Sequence, residues 1–443
     1  SGAASITVFS HNVNELSLIR HADYSFVIGD AEEGVIFDPA APADALGAPI
    51  HASVTGLVRS TEGTIVIEGE RAEDYEKLAP AAPLSMLRAS GLIGLGGAGF
   101  PTWMKYRSPL PANGTLIVNA AECEPILSHN LLRAERQPDG IVRGLCLAMD
   151  LAQAAHGVIA IKEIHTAAVR ALETAIAHGA GGRDISLHLL RNLYPMGEER
   201  ALVREVLGKL LPVTALPLEA GAIVSNAETI YRLHEAVDLG KPLIDKDLTV
   251  AGKLRAHPGE ILPLLDVPIG RSVAAVFADV GGLPPEDSYG ELLMGGPFTG
   301  RRTTLAAPVV KTTGGLIAAE CFPKGPARIG LLICACSADE ARLREVAASL
   351  GSEVAGVACC KQALPVKAAR KCQNPGICPG QVAKILALKK AGAEAVLIGN
   401  CTDCTNTVMS CAPQLGLPVY HVTDQALRAV NERLIRKIHE HIA

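Results

Sequence analysis

The sequence predicts a multidomain α/β protein. Helix-length and strand-length apolar runs alternate from about residue 80 to 240 and again from residue 327 onward, the mark of layered domains with largely parallel sheets. The stretches before and between them hold short β-like runs broken by Gly and Pro, which suits small β domains. A chain of 443 residues has room for two to four domains at about 150 residues each. The expected bounds are 1–78 for an N-terminal β sandwich or hybrid barrel, 79–243 for a first α/β domain, 244–325 for a small β domain, and 326–443 for a second, Cys-rich α/β domain.

Composition narrows the function classes. A net charge of −5 gives no electrostatic footprint for nucleic acid, and no apolar run reaches the roughly 18 residues a transmembrane helix needs. The start, Ser1-Gly2-Ala3-Ala4, lacks a basic-then-apolar secretory signature. Twelve cysteines without an export signal point to thiol or metal chemistry in a reducing cytoplasm, not to a disulfide framework.

Taken in order, Ile6–Phe9, Ser25–Ile28, Val35–Phe37, Gly56–Val58 and Gly63–Ile67 read as strands of the N-terminal β unit. A short helix over 84–91 closed by glycine precedes the richest signal in the chain, Gly94-Leu95-Gly96-Gly97-Ala98-Gly99-Phe100-Pro101-Thr102 with Lys105 behind it. Glycines let main-chain amides approach a phosphate. Pro101 suits a helix start, whose free amides favour anions, and Lys105 adds a cation. The bland alternative is a tight loop between packed elements. An ordinary dinucleotide fold would need a strand before the loop and an acid about 20 residues on; a helix precedes it, and Asn119 stands where the acid would.

Thr115–Val118 reads as a buried strand ending at Asn119, followed by a helix over Arg143–His156, a strand over Gly157–Ile161, a helix over Thr166–His178 and a strand over Ile185–Leu190. Ligands in such sheets sit beyond the carboxyl ends of the strands. Asn119, Glu122 and Glu124 follow one strand and Tyr194, Gly197, Glu198 and Glu199 follow another, so both groups are placed to face the Gly-rich loop. Acids near helix starts also complement the dipole, which is the plain alternative for Glu198 and Glu199 ahead of a helix over Arg200–Leu207. Leu248–Gly252 and Ser272–Val276 are strand-like.

In the last domain, strands over Arg328–Ile333, Glu353–Val357 and Ala395–Ile398 run into Cys334 and Cys336, Cys359 and Cys360, and Cys401 and Cys404. Helices are expected over Asp339–Leu350 and Gln381–Ala391. Parallel strands would bring these six thiols to one sheet edge, joined by Cys372 and Cys378 from a turn-rich loop. Cys401-Thr402-Asp403-Cys404 has the spacing of a redox dithiol at a strand–helix junction. Buried structural cysteine is the alternative, and it suits the adjacent pair Cys359 and Cys360 and the lone Cys146 and Cys321. The 13 histidines show no metal-binding spacing, and there is no Gly-x-Ser-x-Gly elbow for a hydrolase.

Five ordered stretches carry a resemblance: Gly94–Lys105, Val118–Pro125, Tyr194–Glu199, Ser225-Asn226-Ala227-Glu228-Thr229 and Gly295–Gly300. Over roughly residues 50–320 the chain resembles the C subunit of the Rnf electron-transport complex and the flavin-binding subunit of respiratory complex I. The resemblance implies an N-terminal β hybrid domain, a complex I flavin-subunit-like α/β domain, a small β-grasp domain and the Cys-rich α/β domain. It implies FMN and NADH as cofactors, with Gly94, Gly96, Gly97, Gly99, Phe100, Lys105, Asn119, Glu122, Glu124, Tyr194, Gly197, Glu198, Glu199, Ser225, Asn226 and Thr229 around them. In relatives, the position of Phe100 stacks on the dinucleotide, and that of Glu124 reaches toward it. The tandem Cys runs that hold 4Fe–4S clusters in the Rnf relatives are absent here. Cys401–Met409 and the tail Val419–Asp424 look instead like the electron-transfer protein associated with proline reductase.

The expectation is an NADH-oxidising flavoprotein that hands electrons to its cysteine domain and then to a partner reductase of proline reductase type. Two routes through the cysteines stay open: a dithiol relay using Cys401, Cys404, Cys334, Cys336, Cys372 and Cys378, or an iron–sulfur cluster on a set drawn from Cys334, Cys359, Cys360, Cys401 and Cys404. A non-catalytic docking subunit of a redox complex, or a cluster carrier within an Rnf-like complex, are the rivals. Whether the chain forms a homo-oligomer is left open.

Overall fold

A computed structural model describes residues 7–8, 24–28, 48–60, 65–70, 75–366 and 369–436. The expected strand over Val35–Phe37 lies outside the described residues. In the N-terminal part, Tyr24–Ile28, Ile65–Glu70 and Thr55–Ser60 form an antiparallel three-stranded sheet with Ile65–Glu70 in the middle.

Four apolar runs then build a parallel sheet in the order Asp184–Leu190, His156–Lys162, Thr115–Ala120, Ala222–Asn226. Leu116, Ile117 and Val118 are fully buried, because helices cover both faces and a strand so covered has no polar side. Helices Pro138–Ala152, Thr166–Gly179 and Ala227–Asp238 pack on one face and Glu199–Leu207 on the other. The helix expected over Arg143–His156 begins earlier, since Pro138 is pre-set for the first turn. It ends at Gln153, whose φ of 51° stops it. The helix before the Gly-rich loop spans Pro83–Ala89.

A five-stranded mixed sheet follows, in the order Ile261–Pro268, Asp245–Gly252, Gly315–Ala318, Leu292–Met294, Arg301–Arg302. The strand expected over Ser272–Val276 is instead a helix, Val273–Asp279. Ser272 Oγ accepts from Ala275 N at 3.2 Å, so an N-cap overrides the β preference of the two valines. Buried ion pairs tie this sheet to the first domain: Arg133 and Arg232 share Asp247 and Asp266, and Lys246 meets Glu228.

The last sheet is again four parallel strands, in the order Glu353–Cys359, Arg328–Ile333, Ala395–Ile398, Val419–His421. Helix Glu340–Ser349 covers one face, and Val382–Lys390 and Thr402–Met409 cover the other. An antiparallel hairpin, Ala363–Val366 with Ala369–Cys372, projects beside it.

Candidate functional site

Strand order reverses once in each parallel sheet, and a crevice opens beyond the strand ends at such a reversal. In the first sheet the reversal lies between Thr115–Ala120 and Ala222–Asn226. The Gly-rich loop covers it. Gly94 N donates to Phe100 O at 2.8 Å and Gly99 N to Gly94 O at 3.2 Å, which closes the loop on itself. Leu95 N donates to Thr229 Oγ1 at 2.9 Å, pinning the loop to the next helix. A Cβ at Gly96 would stand 3.2 Å from that of Asn226, whereas Gly97, at φ 109°, has open space beside it. Gly96, Gly97 and Ala98 are exposed, and among the described residues their amides have no backbone acceptor. Exposed amides without a backbone partner are what an anion cradle needs.

The other expected residues close around this crevice in different ways. Lys105, on the short helix Thr102–Lys105, donates to Val224 O at 2.9 Å and lies 3.4 Å from Glu199. Asn119 Nδ2 donates to Gly197 O at 2.9 Å. Glu122, at φ 38°, accepts from Asn130 N at 3.0 Å, and Asn130 Oδ1 accepts from Asn226 Nδ2 and Glu228 N. Phe100 is 39% exposed at the loop's end, as a ring that stacks on a ligand would be. Ser225 is buried against Tyr106, hydroxyl to hydroxyl at 2.9 Å. Asn226 and Glu198 serve as helix N-caps, Asn226 accepting from Thr229 N, and Glu198 from Arg200 N and Ala201 N. Glu198 therefore takes the helix-opening role, and Glu199 turns to Lys105.

The second reversal lies between Arg328–Ile333 and Ala395–Ile398, and there the lining is sulfur. Cys334 and Cys336 follow one strand, and Cys401 and Cys404 follow the other. The Cys334 thiol lies beside those of Cys336, Cys360 and Cys404; Cys336 also neighbours Cys372 and Cys401, and Cys404 neighbours Cys378 and Cys401. Seven free thiols thus form one continuous basin. Cys359 is not part of it. Consecutive strand residues face opposite ways, so Cys359 packs into the core under Glu340–Ser349 while Cys360 turns to Cys334. Hydrogen bonds from Cys404, Thr407, Gly380 N and Gln381 draw the Cys378 thiol down to about 6 against its burial. Among the described residues no group of three or more His, Cys, Asp or Glu is set to hold a metal ion.

A seam joins the two crevices. The Tyr194 and Phe298 rings stack at 3.7 Å between centroids, and Phe298 meets His421 edge-on at 5.3 Å. Tyr194 N donates to Thr402 Oγ1 at 3.1 Å, and its hydroxyl donates to Cys336 O at 2.5 Å. Glu124 accepts from Phe298 N at 2.8 Å, Thr299 N at 2.9 Å and Thr299 Oγ1 at 2.6 Å. A Cβ at Gly296 would fall 2.5 Å from that carboxylate. Burial lifts Glu124 to about 7 despite these donors. Arg200 Nη2 donates to Cys372 O at 2.6 Å, and Arg204 Nη1 to Asn374 Oδ1 and Pro375 O.

Four residues were not singled out from sequence. Cys123 accepts from Gly197 N at 3.4 Å and packs at the seam. Lys162 donates to Glu122 O at 3.1 Å and Cys123 O at 3.4 Å, so a cation underlies the acidic loop. Asn130 bridges Glu122 to Asn226. Gln381 donates to Cys360, Cys378 and Cys404 sulfurs at 3.3, 3.5 and 3.8 Å. Lys162 had a signal, a charge at the end of an otherwise apolar strand; the other three had none.

A family profile for the Nuo51 FMN-binding domain matches residues 87–235, the span that holds the first crevice. Cobalamin reductase PduS of Citrobacter freundii is 37% identical over 244 residues, covering 55% of this chain and 50% of that one. The C subunit of the Na+-translocating ferredoxin:NAD+ oxidoreductase complex of Acetobacterium woodii is 31% identical over 312 residues, covering 65% and 67%. The C subunit of the ion-translocating oxidoreductase complex of Pseudomonas aeruginosa is 32% identical over 249 residues, covering 56% and 31%. A crystal structure of NAD+-reducing NiFe-hydrogenase in the air-oxidized state overlays with TM-score 0.45 at 25% identity, over 53% of this chain and 46% of that one. The chain spans about half the length of the PduS relatives it matches. These relatives do not support the narrower likeness to the proline reductase-associated protein. No described helix is long and apolar enough to cross a membrane. With its FMN-binding domain and its match across two thirds of an Rnf-type relative, the chain belongs to the family of Rnf-complex C subunits.

Proposed function

We propose that this chain takes electrons from NADH onto FMN at the first crevice and passes them through the thiol basin to a partner reductase. The observation that carries the reading is the seam: Tyr194 follows a strand of the flavin-binding sheet, yet its hydroxyl binds the backbone of Cys336. The first crevice suits FMN on its own chemistry. Exposed amides of Gly96, Gly97 and Ala98 would receive the phosphate, Lys105 would add charge, and Asn119, Glu122 and Asn226 offer polar partners. FMN, when bound, accepts a hydride from a nicotinamide and releases electrons onward.

The basin's part is thiol–disulfide exchange. Reducing one disulfide to two thiols takes two electrons and two protons, matching the hydride and one solvent proton. Cys378 reaches solvent most readily of the low-pKa thiols and would meet the partner, while Cys401 and Cys404 sit deeper. A proline reductase-type acceptor rests only on the C-terminal resemblance. A second reading replaces the exchange with an iron–sulfur cluster. What favours it is Asn400, fully buried beside Cys401, whose side-chain N and O are both unpartnered.

A visible spectrum of the purified protein separates the readings. Flavin bands bleached by NADH, with no iron on assay, are expected. Cluster absorption with iron would favour the second reading, and a colourless protein would leave only a docking scaffold. Cys401→Ser should leave flavin reduction intact and abolish transfer to a disulfide acceptor; unchanged transfer would refute the relay.

A further inference from the structure

The seven basin thiols are not all neighbours of one another, and the pattern of neighbours limits how they can pair. Among the described residues, the basin sulfur beside Cys372 is that of Cys336, with Cys334 and Cys401 further off. Cys378 has Cys404 beside it. Cys360 lies beside Cys334 and Cys404, and Cys401 beside Cys336 and Cys404. Cys334 also adjoins Cys336 and Cys404. A disulfide needs Cβ atoms about 4 Å apart, so adjoining thiols are the ones that can join without moving the backbone.

An odd number of thiols always leaves one over. With these neighbours, three disulfides can be drawn in three ways, and each way contains Cys334–Cys360. The other five thiols stand in a row: Cys372, Cys336, Cys401, Cys404, Cys378. Two disulfides along that row leave the spare thiol at Cys372, Cys401 or Cys378. Cys336 and Cys404 are bonded in every case.

We propose that the oxidised basin holds three disulfides and one thiol that travels along this row. With Cys378 free, its thiolate attacks Cys404; the Cys401–Cys404 bond breaks and Cys401 leaves as thiolate. Cys401 then attacks Cys336, the Cys336–Cys372 bond breaks, and Cys372 becomes the free thiolate. Each step makes one S–S bond and breaks one, so no electron enters or leaves. Reduction is a separate event, taking two electrons and two protons for each disulfide. The position of the free thiol sets its access. Cys378 is half-buried, with Thr407 Oγ1 at 3.0 Å and Gly380 N at 3.4 Å from its sulfur, whereas Cys372 and Cys401 are 7% and 1% exposed. A partner protein therefore meets a nucleophile when the free thiol stands at Cys378, and the row can deliver it there from either other position. The role of this thiol in electron transfer rests on the exchange reading proposed above; the pairing pattern does not.

The test uses the full chain oxidised with diamide, which takes two electrons and two protons for each disulfide formed. Five cysteines, Cys123, Cys146, Cys321, Cys359 and Cys411, lie outside the basin. Denaturation followed by alkylation with N-ethylmaleimide should label six cysteines, against twelve in the reduced chain, with Cys334 and Cys360 recovered as one linked peptide by mass spectrometry. Alkylation before denaturation should draw the basin's single label to Cys378. Serine variants should divide sharply. Cys378→Ser and Cys401→Ser keep three disulfides, whereas Cys404→Ser and Cys336→Ser each fall to two. Two variants of each kind leave the test intact if one fails to fold. Equal disulfide counts in the two kinds, a three-disulfide species without Cys334–Cys360, or a label on Cys336 or Cys404 would overturn the proposal. If the pattern holds but NADH with FMN restores no thiols, the pairing stands and the electron-relay reading falls.

Discussion

The molecule contains the same device twice, with opposite linings. Each α/β unit is four parallel strands with a single reversal of order, and each places its reactive groups just past the strand ends beside that reversal. At the first, side chains are small or absent: Gly96, Gly97 and Ala98 leave exposed amides without a backbone partner, and Lys105 and Lys162 supply positive charge. At the second, side chains are all that matters, and seven sulfurs fill the space. Topology therefore fixes where a site lies, while the few residues after each strand decide its chemistry. What brings the two crevices into contact is the seam, where Tyr194, Phe298 and His421 meet.

Opening the seam is the most severe way to break this comparison. Phe298 is 1% exposed, and Phe298→Ala should cost about 3–5 kcal/mol of stability, read as a lowered denaturant midpoint. Two units joined by the seam should also lose flavin-to-thiol transfer, while NADH bleaching of the flavin persists. If transfer survives at wild-type rate, the two crevices do not communicate through this ring. Gly97→Val acts on one lining only. Its φ of 109° strains any side chain, and the added methyls enter the open cradle. FMN affinity should fall more than about 100-fold, or about 2.7 kcal/mol, by flavin fluorescence titration. The thiol count in the basin should stay as it was.

What could be read beforehand follows the same division. The Gly-rich loop, the strand ends at Asn119 and Ile398, and the Cys-x-x-Cys pair are local signals, so period and spacing expose them. Contacts between distant residues are invisible in that way: Asn130 to Asn226 spans 96 positions and Tyr194 to Thr402 spans 208. The divergence of Cys359 from Cys360 needed the strand's phase, which the sequence leaves undefined for an apolar run. Ser272 misled because two valines suggested a strand while the serine before them was already capping a helix. Glu198 stands in a ligand-facing motif, yet its carboxylate goes to its own helix; two roles that one sequence position could take were separated only by geometry.

A third test uses protons to compare the two units. His421 is buried at the end of Val419–His421; its Nδ1 accepts from Thr423 N at 3.2 Å, so Nε2 carries the proton and donates to Asn400 O at 3.0 Å. Burial lowers its pKa from 6.5 to about 4. The unfolded chain then binds the proton more readily between those values, so the stability contribution is intact above pH 6.5 and is lost as pH falls toward 4, at about 1.4 kcal/mol per pH unit. The gap in stability between the wild type and His421→Gln should shrink by about 2 kcal/mol between about pH 7 and about pH 5. A gap that stays constant would mean that this histidine is not held neutral, and that the basin's floor is wetter than the packing indicates.

The smallest effect is the most discriminating. Tyr194→Phe keeps the 3.7 Å stack on Phe298 and removes only the hydrogen bond to Cys336 O. The bond itself is worth about 1 kcal/mol, and the carbonyl it leaves sits in the turn that positions the Cys336 sulfur against Cys334, Cys372 and Cys401. If the phenol merely adds stability, the variant melts slightly earlier and nothing else changes. If it holds the Cys336 turn in register with the flavin-binding unit, the rate of flavin-to-thiol transfer falls several-fold while FMN affinity and NADH bleaching stay at wild-type values. The second pattern makes Tyr194 a positioning residue shared by both linings. The first would mean that the two crevices are adjacent without being coupled through this bond, and the link would have to run through Phe298 and Glu124 alone.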